Sequence, residues 1–207
     1  MCSVNQMSKS DSVSAKTGRP RSPDLDRVVL SAVLDLIGDG SSLGSLSFLG
    51  IAAHTGVSRN AIYRRWNAKE DLYVDVLKSI DRRLPVVSEQ SARDNLVVLM
   101  NAVADRAADP RVGRMERAVN AEASSFPNLR DYFVNEYVNP LLDAMRSTIR
   151  RGKETGEIRV DVNEDVLAHV LISSNETKMS FGVNAHADSV SVSQLITDLA
   201  FEGVGLK

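Results

Sequence analysis

The sequence predicts an all-α protein, with a small N-terminal three-helix unit followed by a larger helical part, about nine helices in total. Three observations carry this. Apolar residues recur at i, i+3, i+4 and i+7 along most of the chain beyond residue 22. Capping Ser, Asp or Asn and breaking Gly or Pro separate these stripes. Hydrophobic residues make up 43% of the 207, enough to fill a packed core.

Residues 1–17 are rich in Ser, Asn, Gln and Lys, lack periodicity and read as a disordered tail. A short basic arm follows, Gly18-Arg19-Pro20-Arg21. Ser22 and Pro23 suit the start of a first helix, whose stripe is Leu25, Val28, Val29, Ala32, Val33, Leu36 and Ile37. Gly38 and Gly40 end it. Ser47 is positioned to cap a second helix, with Leu46 and Ile51 at hydrophobic-staple spacing. Gly50 inside that helix is expected to loosen it, at roughly 1 kcal/mol against Ala. Gly56 suits a tight turn. Ser58 repeats the cap, Val57 staples to Ile62, and a third helix is expected over about 59–66. Asn67-x-x-Glu70 has the spacing of a capping box for a fourth helix, striped by Leu72, Tyr73, Val76, Leu77 and Ile80.

The remaining elements follow the same rules. Ser91 opens a fifth helix bearing Leu96, Leu99, Met100, Val103 and Ala107. Asp109-Pro110-Arg111 is expected as a turn before a sixth helix over about 112–123. A long seventh helix begins near Phe126-Pro127 and carries Phe133, Tyr137, Leu141, Ala144, Met145 and Ile149, with a kink expected at Pro140. Gly152 and Gly156 close it. The eighth helix is expected over 164–182, polar in its middle at 173–178, and the ninth over about 189–204.

Composition excludes several classes of function. The net charge is -2, so a coat of bulk positive charge on nucleic acid or anionic membrane is excluded. Cys2 is the single cysteine, which removes an intramolecular disulfide framework and a Cys-rich zinc site. No apolar run reaches membrane-spanning length and the N-terminus lacks a secretory apolar region, so a cytoplasmic protein without membrane contact is expected. No Gly-rich phosphate loop, G-x-S-x-G elbow or H-E-x-x-H helix occurs. The expectation is therefore no enzyme, no cofactor and no metal.

Charge is uneven. Residues 1–83 hold 12 Lys/Arg against 9 Asp/Glu, and residues 84–207 hold 13 against 18. Within 54–69 stand Arg59, Arg64, Arg65 and Lys69 with no acid. Two short helices joined by a Gly-containing turn, the second one basic, describe a helix-turn-helix. Such a unit sets its second helix in the major groove, with N-terminal residues against base edges. Ser58, Arg59 and Asn60 hold that place; Arg pairs with guanine and Asn with adenine. Tyr63 and Arg65 follow, suited to phosphate, and Arg64 stands either as a further DNA contact or as a solvated side chain. Lys69, in the first turn of helix four, is expected on phosphate as well. Arg19 and Arg21 either enter the minor groove or belong to the tail. Trp66 reads as core.

The segment Leu46-Ser47-x-x-x-Ile51-Ala52-x-x-x-Gly56-Val57-Ser58, followed by Ile62-Tyr63-Arg64-x-Trp66-x-x-Lys69-x-x-Leu72, resembles the DNA-binding signature of TetR-family transcriptional repressors. The basic arm resembles theirs too, and the likeness covers about 18–80. It implies a homodimer with a helix-turn-helix unit over 18–67, a linking helix over 68–84, and a ligand-binding and dimerisation domain over 85–207. The DNA-contact set it implies includes Ser47. It also implies a palindromic double-stranded operator, dimerisation through the last two helices, and a small-molecule effector of unknown identity that releases the DNA. Candidate pocket residues are Met100, Arg106, Met115, Asn120, Tyr132, Tyr137, Met145 and His169. Glu116 and Glu122 stand either as cation partners or as solvated helix carboxylates. An activator, or a module that binds protein rather than DNA, is the alternative.

Overall fold

The computed structural model describes residues 23–87, 91–181 and 189–204, and these contain nine helices and no sheet. They are α1 (Pro23–Gly38), α2 (Phe48–Thr55), α3 (Arg59–Tyr63), α4 (Lys69–Ser79), α5 (Ala92–Ala108), α6 (Pro110–Ala121), α7, α8 (Glu164–Phe181) and α9 (Ser189–Val204). The long α7 has three consecutive segments: Pro127–Phe133, a π-helical stretch Val134–Val138, and Asn139–Glu154. The expected tail and the arm with Arg19 and Arg21 lie outside the described residues.

Local capping chemistry accounts for most boundaries. The Ser47 hydroxyl accepts from the Gly50 N–H at 3.0 Å, and Leu46 and Ile51 are both buried, as a staple requires. Gly50 therefore sits in the first turn and donates to the cap, rather than loosening a helix middle; a side chain there would crowd the Ser47 oxygen. Ser58 accepts from the Ala61 N–H at 3.3 Å. Ser91 accepts from the Asp94 N–H.

Three expectations are corrected. Helix α3 ends at Tyr63, not near residue 66, because the chain tightens there: Arg65 and Trp66 both donate to the Ile62 carbonyl. Asn67 does not cap α4. Ala68 holds that position, and the Asp71 carboxylate accepts its N–H at 3.0 Å. Glu70 instead reaches α7, accepting from the N–H groups of Asn128 (2.6 Å) and Leu129 (3.1 Å). Helix α6 starts at Pro110, two residues early, because Asp109 ends α5 and caps α6, accepting from the N–H groups of Arg111 and Val112.

The distortion expected at Pro140 is the π stretch. The Asn139 N–H donates to the Val134 carbonyl, five residues back, so the ladder has already widened where Pro140 has no N–H to give.

Two apolar cores hold these helices together. The first joins α1–α4 to the body: Val33, Ile37, Ile62, Trp66, Leu72 and Val76 pack in one cluster with Met115 and Val119 of α6 and Leu129 and Phe133 of α7. The second joins α5, the end of α7, and α8, through Leu96, Leu99, Met100, Met145, Ile149 and Leu171, with Ile196 and Ala200 of α9 against it. The N-terminal unit is thus seated on α6 and α7. Polar ties reinforce the seat: the Arg111 guanidinium pairs with Asp35 at 2.8 Å and donates to the carbonyl and hydroxyl of Ser31.

Close approach makes two buried glycines obligatory. A Cβ at Gly113 would lie 2.2 Å from the Ala107 carbonyl oxygen, and one at Gly152 would lie 2.7 Å from Ala92 Cβ and 2.8 Å from Ile158 Cδ1. Backbone yields less readily than side-chain tips. Gly113→Ala is therefore expected to cost about 3 kcal/mol or more and Gly152→Ala about 1–3 kcal/mol, read as the shift in urea midpoint.

Candidate nucleic-acid interface

The α2-turn-α3 unit is rigid because its turn is chemically specified. Gly56 adopts φ 70°, a left-handed conformation that glycine takes at no steric cost, and its N–H closes α2 onto the Ala52 carbonyl. Ile51, Ile62 and Trp66 anchor the unit from beneath, and the Trp66 Nε1–H donates to Asp75 of α4 at 3.0 Å.

What remains outside is a compact polar face. Ser58, Arg59, Asn60, Tyr63 and Arg64 are all exposed, and Ser47 sits nearby at the start of α2. Tyr63 stands edge-on to Phe48 with ring centroids 5.0 Å apart, and the Arg59 guanidinium lies 5.5 Å over its ring. These contacts order both side chains while leaving them exposed. No carboxylate interrupts the sequence from His54 to Lys69.

Two of the four cations expected on this face are not on it. Arg65 is half-buried and pairs with Asp26 of α1 at 2.5 Å. Lys69 is also half-buried. Its ammonium donates to the carbonyls of Gly44 and Leu46, both at 2.9 Å, and of Leu43 at 3.4 Å, and lies 5.9 Å over the Phe126 ring. An ammonium has three donors, and here three carbonyls take them. The free positive charge of the face therefore reduces to Arg59 and Arg64 among the described residues.

The loop that Lys69 holds is gripped from the other side by a residue read only as a solvated carboxylate or a cation partner. Glu122, at the end of α6, accepts from the N–H groups of Leu43 and Gly44, each at 2.7 Å. The Tyr73 hydroxyl donates to the Leu43 carbonyl at 2.6 Å, and burial drives its pKa strongly upward. Nothing near Glu122 in sequence signals this role; the partners lie some 79 residues away.

A second feature lies in the body. A cavity of about 60 Å³ opens between α5, α6, α7 and α8. Of the expected pocket residues, Arg106, Asn120 and Tyr137 line it, together with Glu116, Arg117 and apolar side chains that include Phe133 and Ile172. The others are elsewhere. Met100 and Met145 are fully buried in the second core and Met115 in the first. Tyr132 lies under the Arg82 guanidinium, which donates to its hydroxyl. His169 is exposed on α8, its Nδ1 2.6 Å from the Asp165 carbonyl oxygen. Sequence reading missed Arg117, although its spacing of three from Asn120 puts both on one helical face. Inside the cavity, Arg106 Nε donates to Glu116 at 3.1 Å and its guanidinium lies 5.8 Å over Tyr137. The Tyr137 hydroxyl donates to the Leu77 carbonyl at the end of α4, and burial pushes its pKa up to about 12.

Residues 42–76 match the family described as bacterial regulatory proteins, tetR family, and residues 87–182 match the tetracyclin repressor-like C-terminal domain. The chain belongs to the TetR family of transcriptional regulators. A curated relative, the uncharacterized HTH-type transcriptional regulator YdeS of Bacillus subtilis (strain 168), is 24% identical over 153 residues, 73% of this chain and 76% of its own. The TetR regulator of Agrobacterium tumefaciens superposes with a TM-score of 0.71 at 17% identity, covering 88% of this chain and 94% of that one. A transcriptional regulator from Saccharomonospora viridis in complex with choline superposes at 0.69 and 18% identity, covering 90% and 100%. The structural likenesses establish the TetR fold for this chain, and the two family matches make it a DNA-binding regulator.

The loop contacts make Lys69 and Glu122 structural in this TetR-family chain. Lys69→Met and Glu122→Ala each strand part-buried backbone groups, and each is expected to cost about 1–3 kcal/mol in thermal or urea unfolding. Buried Tyr137 sets an alkaline limit. Burial raises its pKa to about 12, above the unfolded value near 10, so its contribution to stability is constant below pH 10 and falls as pH rises toward 12. Tyr137→Phe should flatten that fall in a pH series of denaturation curves.

Proposed function

We propose that the protein is a homodimeric repressor that binds a palindromic operator through α3 and leaves it when a small molecule occupies the body cavity. The observation that carries the DNA-reading step is the exposed set Ser58, Arg59, Asn60, Tyr63 and Arg64, on a short helix capped by Ser58 and with no acid among them. Arg59 and Asn60 stand at the first two positions of α3, where a recognition helix meets base edges. Tyr63 and Arg64 face the flanking phosphates, and Ser47 lies where the start of α2 approaches the backbone. Arg19 and Arg21 belong to the arm that would reach an adjacent groove.

Dimerisation is supported by α8 and α9. Val166 and Val170 on α8, and Leu195 and Leu199 on α9, are each more than half exposed. Large apolar side chains four residues apart on each of two helices are expensive to leave in water and suit a second copy of the same surface. Two heads of such a dimer must sit about 34–36 Å apart to read successive major grooves. A ligand that favours another spacing weakens DNA binding by linkage. The cavity supports the ligand step because its wall is tied to the head: Tyr137 lines it and bonds α4, and α6 carries both Glu116 and Glu122. The choline complex of the Saccharomonospora viridis regulator supports small-molecule binding as a property of this fold.

Selection of binding sites from a random duplex library, followed by salt titration, tests the reading. A palindromic winner with half-sites about one helical turn apart is expected; no enriched sequence from folded dimer overturns it in favour of a protein-binding module. On the selected site, Arg59→Ala is expected to lose about 1–3 kcal/mol of affinity and relax preference at one base position, with unchanged melting temperature. Leu199→Asp should convert the dimer to monomer in sedimentation velocity while helicity stays unchanged.

A further inference from the structure

The cavity in the body has a charge imbalance that selects among ligands. We propose that it receives a monoanion with an apolar tail, a small carboxylic acid being the simplest case, whose acid group is held by Arg117 and Arg106. This rests on the reading of the cavity as the effector site.

The wall carries two guanidiniums against one carboxylate. Arg106 spends one of its five N–H donors on Glu116 and makes no other hydrogen bond among the described residues. Arg117 makes no ion pair among the described residues, although it borders a cavity whose remaining wall is largely apolar. A guanidinium beside apolar surface is poorly solvated, and a carboxylate offers it a bidentate partner at full charge. Phe133, Val138, Leu141 and Ile172 supply the surface for a short hydrocarbon tail.

The opposite ligand class is disfavoured by what already fills the cation position. A quaternary ammonium would seek a carboxylate beside an aromatic face. Glu116 and Tyr137 form that pair, and the Arg106 guanidinium already covers both, 3.1 Å from Glu116 Oε1 and 5.8 Å over the Tyr137 ring. A cationic ligand would have to expel Arg106 and approach Arg117. An anion needs neither. Size sets a further bound: in about 60 Å³ the acid group and first carbons fit as the cavity stands, and a longer tail must open it toward α8.

Three matched probes decide this: octanoate, octanol and octyltrimethylammonium, titrated calorimetrically into the full-length protein. Octanoate is expected to bind at least tenfold more tightly than octanol, with no saturable binding of the ammonium. Arg117→Gln should weaken octanoate at least tenfold and leave octanol unchanged, the size expected for losing a charge-assisted bond. Arg117→Lys should restore part of the loss, and the melting temperature of both variants without ligand should match the parent. Equal binding of octanoate and octanol, tighter binding of the ammonium, no binding of octanoate, or an Arg117→Gln variant that binds octanoate like the parent each overturns the proposal. Octanoate that binds but leaves operator affinity unchanged overturns the effector role. Operator binding by ligand-free protein is read separately, and its failure strikes the DNA-binding reading instead.

Discussion

The segment between α1 and α2 is the point on which the rest of the molecule depends. It is irregular backbone between the helix-turn-helix unit and the body, so its polar groups cannot pair within a helix. Side chains from two other elements supply the partners. Glu122 of α6 takes the N–H groups of Leu43 and Gly44, while Lys69 and Tyr73 of α4 take the carbonyls of Leu43, Gly44 and Leu46. The arrangement sets a carboxylate and an ammonium on opposite sides of one loop without a direct ion pair between them. Its consequence is positional. Helix α2 begins where this loop ends, so the orientation of α3 is referred to α4 and α6 rather than to α1 alone.

That dependence explains which parts of the fold were legible in the sequence. Caps, staples and the left-handed turn are local, and Ser47, Gly56, Ser58 and Ser91 announce them by residue type and spacing. Nine helices followed from such signals. Long-range electrostatics left no such trace. Arg65 and Lys69 look like groove-facing cations because the sequence around them lacks acids, yet their partners are Asp26 and the carbonyls of a distant loop. Glu70 has the spacing of a capping-box acid and instead caps a helix 58 residues away. A residue type at a given spacing specifies what it can bond, and tertiary packing decides which of the available partners it meets.

The same distinction separates the two candidate regions. The polar set proposed to meet DNA lies on one short helix and its two flanking residues, so its members come together wherever that helix goes. The cavity is assembled from α5, α6, α7 and α8, and no periodicity within one helix reveals its wall. Methionines expected there fill the cores instead, as flexible apolar side chains do. What makes the cavity more than a packing defect is its company. Arg106, Glu116 and Tyr137 form a polar cluster at its edge, and Tyr137 bonds the last turn of the helix that carries the head.

The π stretch at Val134–Val138 acts as a phase shifter. An α-helix advances about 100° per residue, so one residue absorbed into a wide turn rotates everything beyond it by that angle. Ahead of the stretch, α7 turns Leu129 and Phe133 toward the core shared with the head; beyond it, Leu141, Leu142, Met145 and Ile149 face the second core. Two cores on differently oriented sides of the molecule are thus served by one uninterrupted rod. The length of the stretch is therefore as constrained as its composition: losing a single residue there would leave each half of α7 intact and bring one of its two apolar stripes round to solvent.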